Sequence, residues 1–280
     1  MSTPAVVAHR GASQIEPEHT LAAYRRALTL GVDGVECDVR LTADGHLVCV
    51  HDRDVRRTSD GRGLVSTLEL TQLQGLDWGS WKDVAAAADA EAALLGAPVD
   101  REVPDVVEPG DRSALLTLAR LLQTVAGARR PDGSPVEIAV ETKHPTRYGS
   151  IVEKRLAQVL AEAGMDGGAG PSPVRVMSFS ILALRRMRLL TPGVGLVWLL
   201  ERVPPGLREG RLPRGVMAAG VNVEVIRRHP RYVSRVHERG GQVHVWTVDE
   251  PEDVQRCVDA GVDVVITNRP EAVLHQLGRG

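Results

Sequence analysis

The sequence predicts an α/β fold in which eight parallel strands close into a (β/α)8 barrel, and three observations carry that prediction. The first is an echo of helix end, glycine and β-rich run: LGVDGVE at 30–36, AGVNVEV at 219–225 and AGVDVVI at 260–266. In each, the glycine can take the left-handed conformation that closes a helix, and the run behind it continues as a strand. The second is that these runs are continuously apolar rather than alternating, as parallel strands covered by helices on both faces must be. The third is size. A chain of 280 residues with 43% hydrophobic content buries the core of one such domain and leaves room for an inserted segment. An open doubly wound sheet has the same rhythm and is the competing topology.

Candidate strands fall at 5–9, 32–38, 47–51, 136–142, 174–179, 194–200, 221–225, 243–248 and 262–267. That is one more than a barrel needs, and the 221–225 run is expected to be the accessory strand. In TLAAYRRALTLG, Leu21, Tyr24 and Leu28 recur at i, i+3 and i+7. In PEDVQRCVDAG, Val254, Cys257 and Val258 share a face behind Pro251, a residue suited to a first helical turn. Between 38 and 47 the segment LTADG leaves no room for a helix, so the second crossover is expected to be extended chain. From Arg53 to Arg112 the strand and helix rhythm stops. LDWGSW, the alanine-rich AAAADAEAALLGA and PVDREVPDVVEPGD read as an insertion after the third strand, with partial disorder expected near 85–110. The organisation is therefore a single catalytic domain over 1–280, with 53–112 as a cap over the barrel mouth.

Composition removes several function classes. A formal charge of −2 with both signs interspersed offers no basic field for nucleic acid or anionic lipid. Cys37, Cys49 and Cys257 are odd in number, far apart and without CxxC spacing, which fits free thiols in a reducing compartment. No basic and then apolar leader precedes VVAHR, and the longest apolar run, 194–200, is far short of a membrane span. A cytoplasmic protein without a transmembrane segment is expected.

The chemistry concentrates where apolar runs end. Along a strand, residues i and i+2 share a face, so in GVECDVRLTADGHLVCVHD (34–52) Glu36 and Asp38 point one way and Cys37 the other. VEIAVETKHP pairs Glu141 with Lys143 in the same manner, His9 ends VVAH, and His51 ends LVCVH. Four strands thus finish in ionisable groups, and in a barrel those ends converge on one cavity. Three carboxylates gathered at about 6 Å repel by roughly 3 kcal/mol per pair at an effective dielectric near 20. A divalent cation, protonation of one member, or compensation by Lys143 and Arg10 would offset this. An oxygen-only donor set suits Mg2+ or Ca2+ better than zinc. A histidine pair beside the acids, one followed by Arg10 and the other by Asp52, fits a general acid and base around a charged substrate. Arg10 and Lys143 then supply positive charge for an anion, phosphate first, because arginine's fork matches its oxygens.

AHRGAS with PEHT, then GVECDVRLTADGHLVCVHD, VETKHP, MSFS, VWTVDEPED and VITNRP, in this order from about Val6 to Pro270, resemble the glycerophosphodiester phosphodiesterase family. The resemblance implies a distorted TIM barrel and metal-dependent hydrolysis of glycerophosphodiesters, such as glycerophosphocholine or glycerophosphoethanolamine, to glycerol 3-phosphate and an alcohol. It implies His9 and His51 as the acid-base pair and Glu36, Asp38 and Glu141 as ligands of one divalent cation, Mg2+ or Ca2+. Arg10 and Lys143 would contact phosphate, Phe179 and Trp246 would line the substrate pocket, and Glu18 would support the metal or His9 from behind. The chain departs from the family at His19, where PEHT replaces the usual PENT, which puts the local hydrogen-bond network in question. Two other readings use the same residues: a phospholipase D-like hydrolase of lysophospholipids, and a non-catalytic phosphodiester-binding barrel. Glycoside hydrolysis by a Glu/Asp pair leaves both histidines and both cations without a task.

Overall fold

The structure, a computed structural model, describes residues 3–83, 87, 90, 93, 110–146, 149–168 and 170–279. In chain order it runs β1 (Ala5–His9), α1 (Leu21–Thr29), β2 (Gly34–Leu41), β3 (Leu47–Cys49), α2 (Leu70–Gln74), α3 (Leu118–Ala126), β4 (Glu137–Thr142) and α4 (Ile151–Glu162). It continues through β5 (Val174–Ser178), α5 (Ile181–Leu190), β6 (Gly195–Leu200), β7 (Ala218–Asn222), α6 (Val223–Arg228) and α7 (Tyr232–His237). β8 (Gln242–Trp246), α8 (Pro251–Ala260), β9 (Val264–Thr267) and α9 (Pro270–Gln276) complete it.

Among the described residues, eight parallel strands close in the order β1, β2, β4, β5, β6, β7, β8, β9 and back to β1, so the barrel rather than the open sheet is realised. Two of the three glycines expected to end helices do so: Gly31 follows α1 at φ +74 and Gly261 caps α8 at φ +73. α1 starts on Thr20, whose side chain accepts from the Ala23 amide, and buries Leu21 and Tyr24 as the spacing predicts.

Two strand assignments are corrected. The 47–51 run is not a barrel strand: β3 is short and antiparallel to β2, with Val39 opposite Cys49 and Leu41 opposite Leu47. An antiparallel partner needs only a tight turn, which LTADG supplies, whereas a parallel one needs a crossover of a dozen residues or so. Conversely, the 221–225 run is no accessory. Residues 218–222 form β7, a full barrel strand paired with β6 and β8, and 223–225 already belong to α6. Gly220 lies inside that strand, where an added Cβ would meet Leu199 Cδ2 at 2.7 Å, so here glycine serves packing, not helix closure. The insertion accordingly falls in the connection between β2 and β4, behind β3. Its described part builds a small core from Val55, Val65, Leu73 and Trp78 against Val48 and Val50; the alanine tract and the disorder expected near 85–110 lie almost entirely outside the described residues.

Alternation decides what fills the barrel. Val7, Ala139, Met177, Val197, Leu199, Ala218 and Ile266 meet inside it, while Val6, Val35, Ile138, Val140 and their equivalents face the helices. One step farther toward the C-terminal ends, the same inward face carries His9, Glu36, Asp38 and Glu141. The parallel register sets His9 beside Glu36 and Asp38 beside Glu141.

Candidate active site

Three inward carboxylates form the floor of the mouth. Glu36, Asp38 and Glu141 offer oxygens within 4.8 Å of one another, and their exposures are only 2, 0 and 8%. Lys143 Nζ lies 2.8 Å from both Asp38 Oδ1 and Glu141 Oε1, and Arg10 Nε lies 3.0 Å from Asp38 Oδ2. Burial alone would push Asp38 up, but Lys143, His19 and Arg10 outweigh it and hold that carboxyl well below its usual range. Glu36 has less help, since Arg10 and Lys143 lower it without outweighing burial and Asp38. Its carboxylate accepts from the Arg10 backbone amide at 3.1 Å, and the nearest ionisable base is His9 Nε2 at 3.9 Å. Burial, then the charge of Asp38, raises Glu36 well above the carboxylate range and lifts Glu141 to about 7.

The protein's own cations therefore leave part of the charge uncompensated, which bears on whether a metal fits. Asp38 Oδ1 is buried, and its near partner is the Lys143 ammonium, which it shares with Glu141. An oxygen-only set of three buried carboxylates, one of them in ion-pair contact with neither Arg10 nor Lys143, suits a hard divalent cation. The residues fit the group.

Each histidine is oriented from behind. Asp249 accepts from the Asn268 side-chain amide at 2.7 Å and from its backbone N–H at 2.8 Å, which turns Asn268 Oδ1 toward His9 Nδ1, 2.8 Å away. This polarity puts the proton on Nδ1 and leaves Nε2 to face the carboxylates. Burial, with Arg10 next, lowers His9 to about 3, so the ring is neutral at pH 7. His51 Nδ1 lies 2.6 Å from Asp52 Oδ1, and burial lowers this histidine as well. His51 is corrected in position: it stands two residues past β3, on a loop rather than at a barrel-strand end, and is held there because the Val50 amide donates to Asp38 O at 3.1 Å.

The loop after β1 ties these parts together. Arg10 and His19 both adopt left-handed backbone, φ +59 and +62, and the His19 amide donates to Arg10 O at 3.1 Å. Two non-glycine residues so held mark a segment fixed by its surroundings. Gly11 between them cannot be replaced without strain, since a Cβ would lie 2.6 Å from the Ala23 carbonyl carbon. Glu18 accepts from Arg10 at 3.0 Å and from Arg57 at 2.7 Å, and Arg57 also donates to Asp52, so an unbroken chain of ion pairs links His51 to Asp38. Those two arginines outweigh burial and lower Glu18 to about 2. His19 fills the place of the family's asparagine by setting Nε2 3.0 Å from Asp38 Oδ2 and Nδ1 2.9 Å from Tyr24 Oη. It supports Asp38 rather than disrupting the network.

The resulting cavity, about 230 Å3, has a charged side of His9, Arg10, Glu36, His51, Glu141 and Lys143 and a largely apolar side that includes Phe179, Leu199 and Trp246, with Glu201 at its edge. Phe179 and Trp246 meet edge to face with centroids 5.6 Å apart, and Phe179 is 45% exposed, more than core packing would leave it. All the candidate residues thus come together. Missed from sequence are Arg57, Asp249 and Asn268. VITNRP and VWTVDEPED carried a signal, since each sets a polar residue just beyond a barrel strand, but nothing in the sequence says that 249 and 268 meet.

Comparison with known proteins follows the same lines. A model of the glycerophosphoryl diester phosphodiesterase family matches residues 9–272. A probable glycerophosphodiester phosphodiesterase 1 of Mycobacterium tuberculosis is 45% identical over 270 residues, covering 95% of this chain and 90% of the relative. A glycerophosphodiester phosphodiesterase of Bacillus subtilis is 29% identical over 276 residues, covering 98% and 86%. A solved Oleispira antarctica phosphodiesterase, captured with the product sn-glycerol-3-phosphate, shares the fold at a TM-score of 0.78 with 24% identity, covering 99% of this chain and 97% of that one. With the family matched across nearly its whole length and the barrel closed around the expected groups, the chain belongs to the glycerophosphoryl diester phosphodiesterase family and is an enzyme of that class.

Proposed function

We propose that this protein hydrolyses glycerophosphodiesters such as glycerophosphocholine or glycerophosphoethanolamine to glycerol 3-phosphate and an alcohol. In this reading His9 and His51 move the protons, and Glu36, Asp38 and Glu141 hold one divalent cation, Mg2+ or Ca2+. The observation that carries it is the gathering of two imidazoles and three acids on one cavity at the open end of the barrel. Family membership and the product bound by the Oleispira relative support the same substrate class.

Arg10 and Lys143 bind the diester phosphate and place it between the histidines, while Phe179 and Trp246 exclude water from one side and pack against the substrate's carbon skeleton. When bound, the cation supplies charge stabilisation to the phosphoryl oxygens. His9, neutral and with Nε2 turned to the cavity, removes the proton of the attacking hydroxyl. His51 delivers a proton to the departing alcohol oxygen, and Asp52 against Nδ1 favours the imidazolium this requires. Glu18 holds Arg10 and Arg57 in place. The 53–112 segment acts as a cap, a role supported by its ties to the loop after β1: Lys82 Nζ donates to Ser13 O at 2.6 Å and Arg112 to Glu16 at 2.8 Å. Buried free thiols at 37, 49 and 257, with no described helix long and apolar enough to cross a membrane, support a cytoplasmic setting.

Turnover of glycerophosphocholine beside lysophosphatidylcholine, before and after chelation, tests this. Loss of diester hydrolysis on chelation, recovery with Mg2+ or Ca2+, and little action on the lysolipid are expected. Undiminished turnover after exhaustive chelation would falsify the cation role, and preference for the lysolipid would move the assignment to the lipase class.

A further inference from the structure

β2 does not end its inward row at the carboxylates. Alternation puts Arg40 on the face of Glu36 and Asp38, one step farther out of the barrel, and its Nε donates to the His51 carbonyl at 2.8 Å. Arg53 stands two residues beyond His51. The two arginines line one cleft, together with Ser66, Lys143 and Thr146, and none of its lining residues is acidic. Lys143 borders both this cleft and the catalytic cavity, so the two spaces meet across its side chain.

Every other arginine around His51 is neutralised: Arg10 by Asp38 and Glu18, Arg57 by Glu18 and Asp52. Arg40 and Arg53 are different. Among the described residues no carboxylate lies within ion-pair distance of either, and the two acids that flank Arg53 in sequence are already taken, Asp52 by His51 and Arg57 and Asp54 by Arg56. Burial is the largest influence on Arg40 and lowers it; Asp38 and then Asp52 act through space in the opposite sense, and Arg53 is close enough to oppose them. Two guanidinium groups facing one cleft, neither in ion-pair contact with a described carboxylate, can pair with an anion that enters it. The cleft's free volume of about 40 Å3 corresponds to roughly three water positions.

We propose that this cleft receives the alcohol part of the diester and selects alcohols that carry a second phosphate. The assignment rests on the hydrolase reading above. A diester phosphate held by Arg10 and Lys143 has one arm against the side of the cavity lined by Phe179, Trp246 and Glu201, whose carboxylate repels a second phosphate. The other arm passes beyond Lys143 beside His51, the proton donor to the departing alcohol, and reaches Arg40 and Arg53.

The test compares kcat/KM for glycerophosphoinositol and glycerophosphoinositol 4-phosphate, which differ by one phosphate on the alcohol, in wild type, R53Q and R40Q/R53Q. A charge-assisted contact of about 1.5–3 kcal/mol gives the wild type a preference of roughly tenfold or more for the phosphorylated diester, shrinking with added salt. R53Q should cut that preference while leaving glycerophosphoinositol turnover within about twofold, and the exposed R53E should reverse it. Because Arg40 also touches the His51 carbonyl, R53Q and R53E carry the decision. Equal kcat/KM for the two diesters in wild type, or an undiminished preference in R53E, overturns the proposal. A loss in R53Q that falls equally on both substrates also overturns it, by making Arg53 merely structural. No turnover of either inositol diester also overturns the proposal, and the hydrolase reading falls with it only if glycerophosphocholine is left intact as well.

Discussion

The barrel mouth divides into two halves that share one geometry and almost no chemistry. β1, β2 and β4, with the loop after β3, present His9, Arg10, Glu36, Asp38, His51, Glu141 and Lys143, whereas β5, β6 and β8 present Met177, Phe179, Leu199 and Trp246 on equivalent inward positions. Both halves are parallel strands with the same alternation, so the backbone does not explain the difference. Electrostatics does. Charges set against an apolar wall interact through a lower effective dielectric than charges facing water, so concentrating them in one half strengthens every contact they make with a bound phosphate. The apolar half supplies that environment and shape, and its one ionisable lining residue, Glu201, stands just past the end of β6 and is exposed.

If that division is real, substitutions on the charged half should cost far more turnover than those on the apolar half. The largest effect is expected for His9→Ala and His51→Ala, each lowering kcat by roughly 10^3-fold with the fold retained; rates near wild type in both variants would erase the contrast. Asn268→Ala sharpens it, because Asn268 comes from the apolar half of the sequence yet orients a histidine. A loss of roughly 10- to 100-fold in kcat with KM little changed is expected, and a KM effect alone would mean that Asn268 binds substrate instead.

A third test concerns the interior below the mouth. His244 is buried at 3% exposure with Nε2 unpartnered, and burial lowers it from 6.5 to about 4. The folded state binds fewer protons than the unfolded one in that window, so this contribution to stability is complete above about pH 6.5 and is lost as pH falls toward 4. Urea denaturation of the wild type should show about 2 kcal/mol more loss between pH 7 and 5 than His244→Gln, which cannot titrate. Parallel pH profiles for the two proteins would show that His244 contributes nothing. The smallest effect belongs to the wall itself. Trp246→Leu should raise KM about threefold to tenfold with kcat nearly intact, as steady-state kinetics on glycerophosphocholine would reveal, since it removes apolar contact without touching proton transfer.

Much of this was legible in advance because it is local. Alternation alone puts Glu36 with Asp38 and Glu141 with Lys143, and the glycines at 31 and 261 end their helices as composition requires. What misled was also local. β3 and the 221–225 run were both short apolar stretches, and only pairing partners distinguish an antiparallel edge from a barrel strand. The AGVNVEV echo matched in letters while its glycine served contact with Leu199.

By itself, then, the sequence determined where most of the strands would form, which side of the site-bearing ones would be polar and which residue types could hold a cation or move a proton. Spacing within one strand is fixed by backbone geometry, so these follow from neighbours in the chain. Only the tertiary structure decided that Asn268 orients His9, that Glu18 joins Arg10 to Arg57, and that Arg40 and Arg53 share a cleft. Those contacts depend on barrel closure and loop placement, which bring together residues tens to hundreds of positions apart, and no local rule encodes that separation.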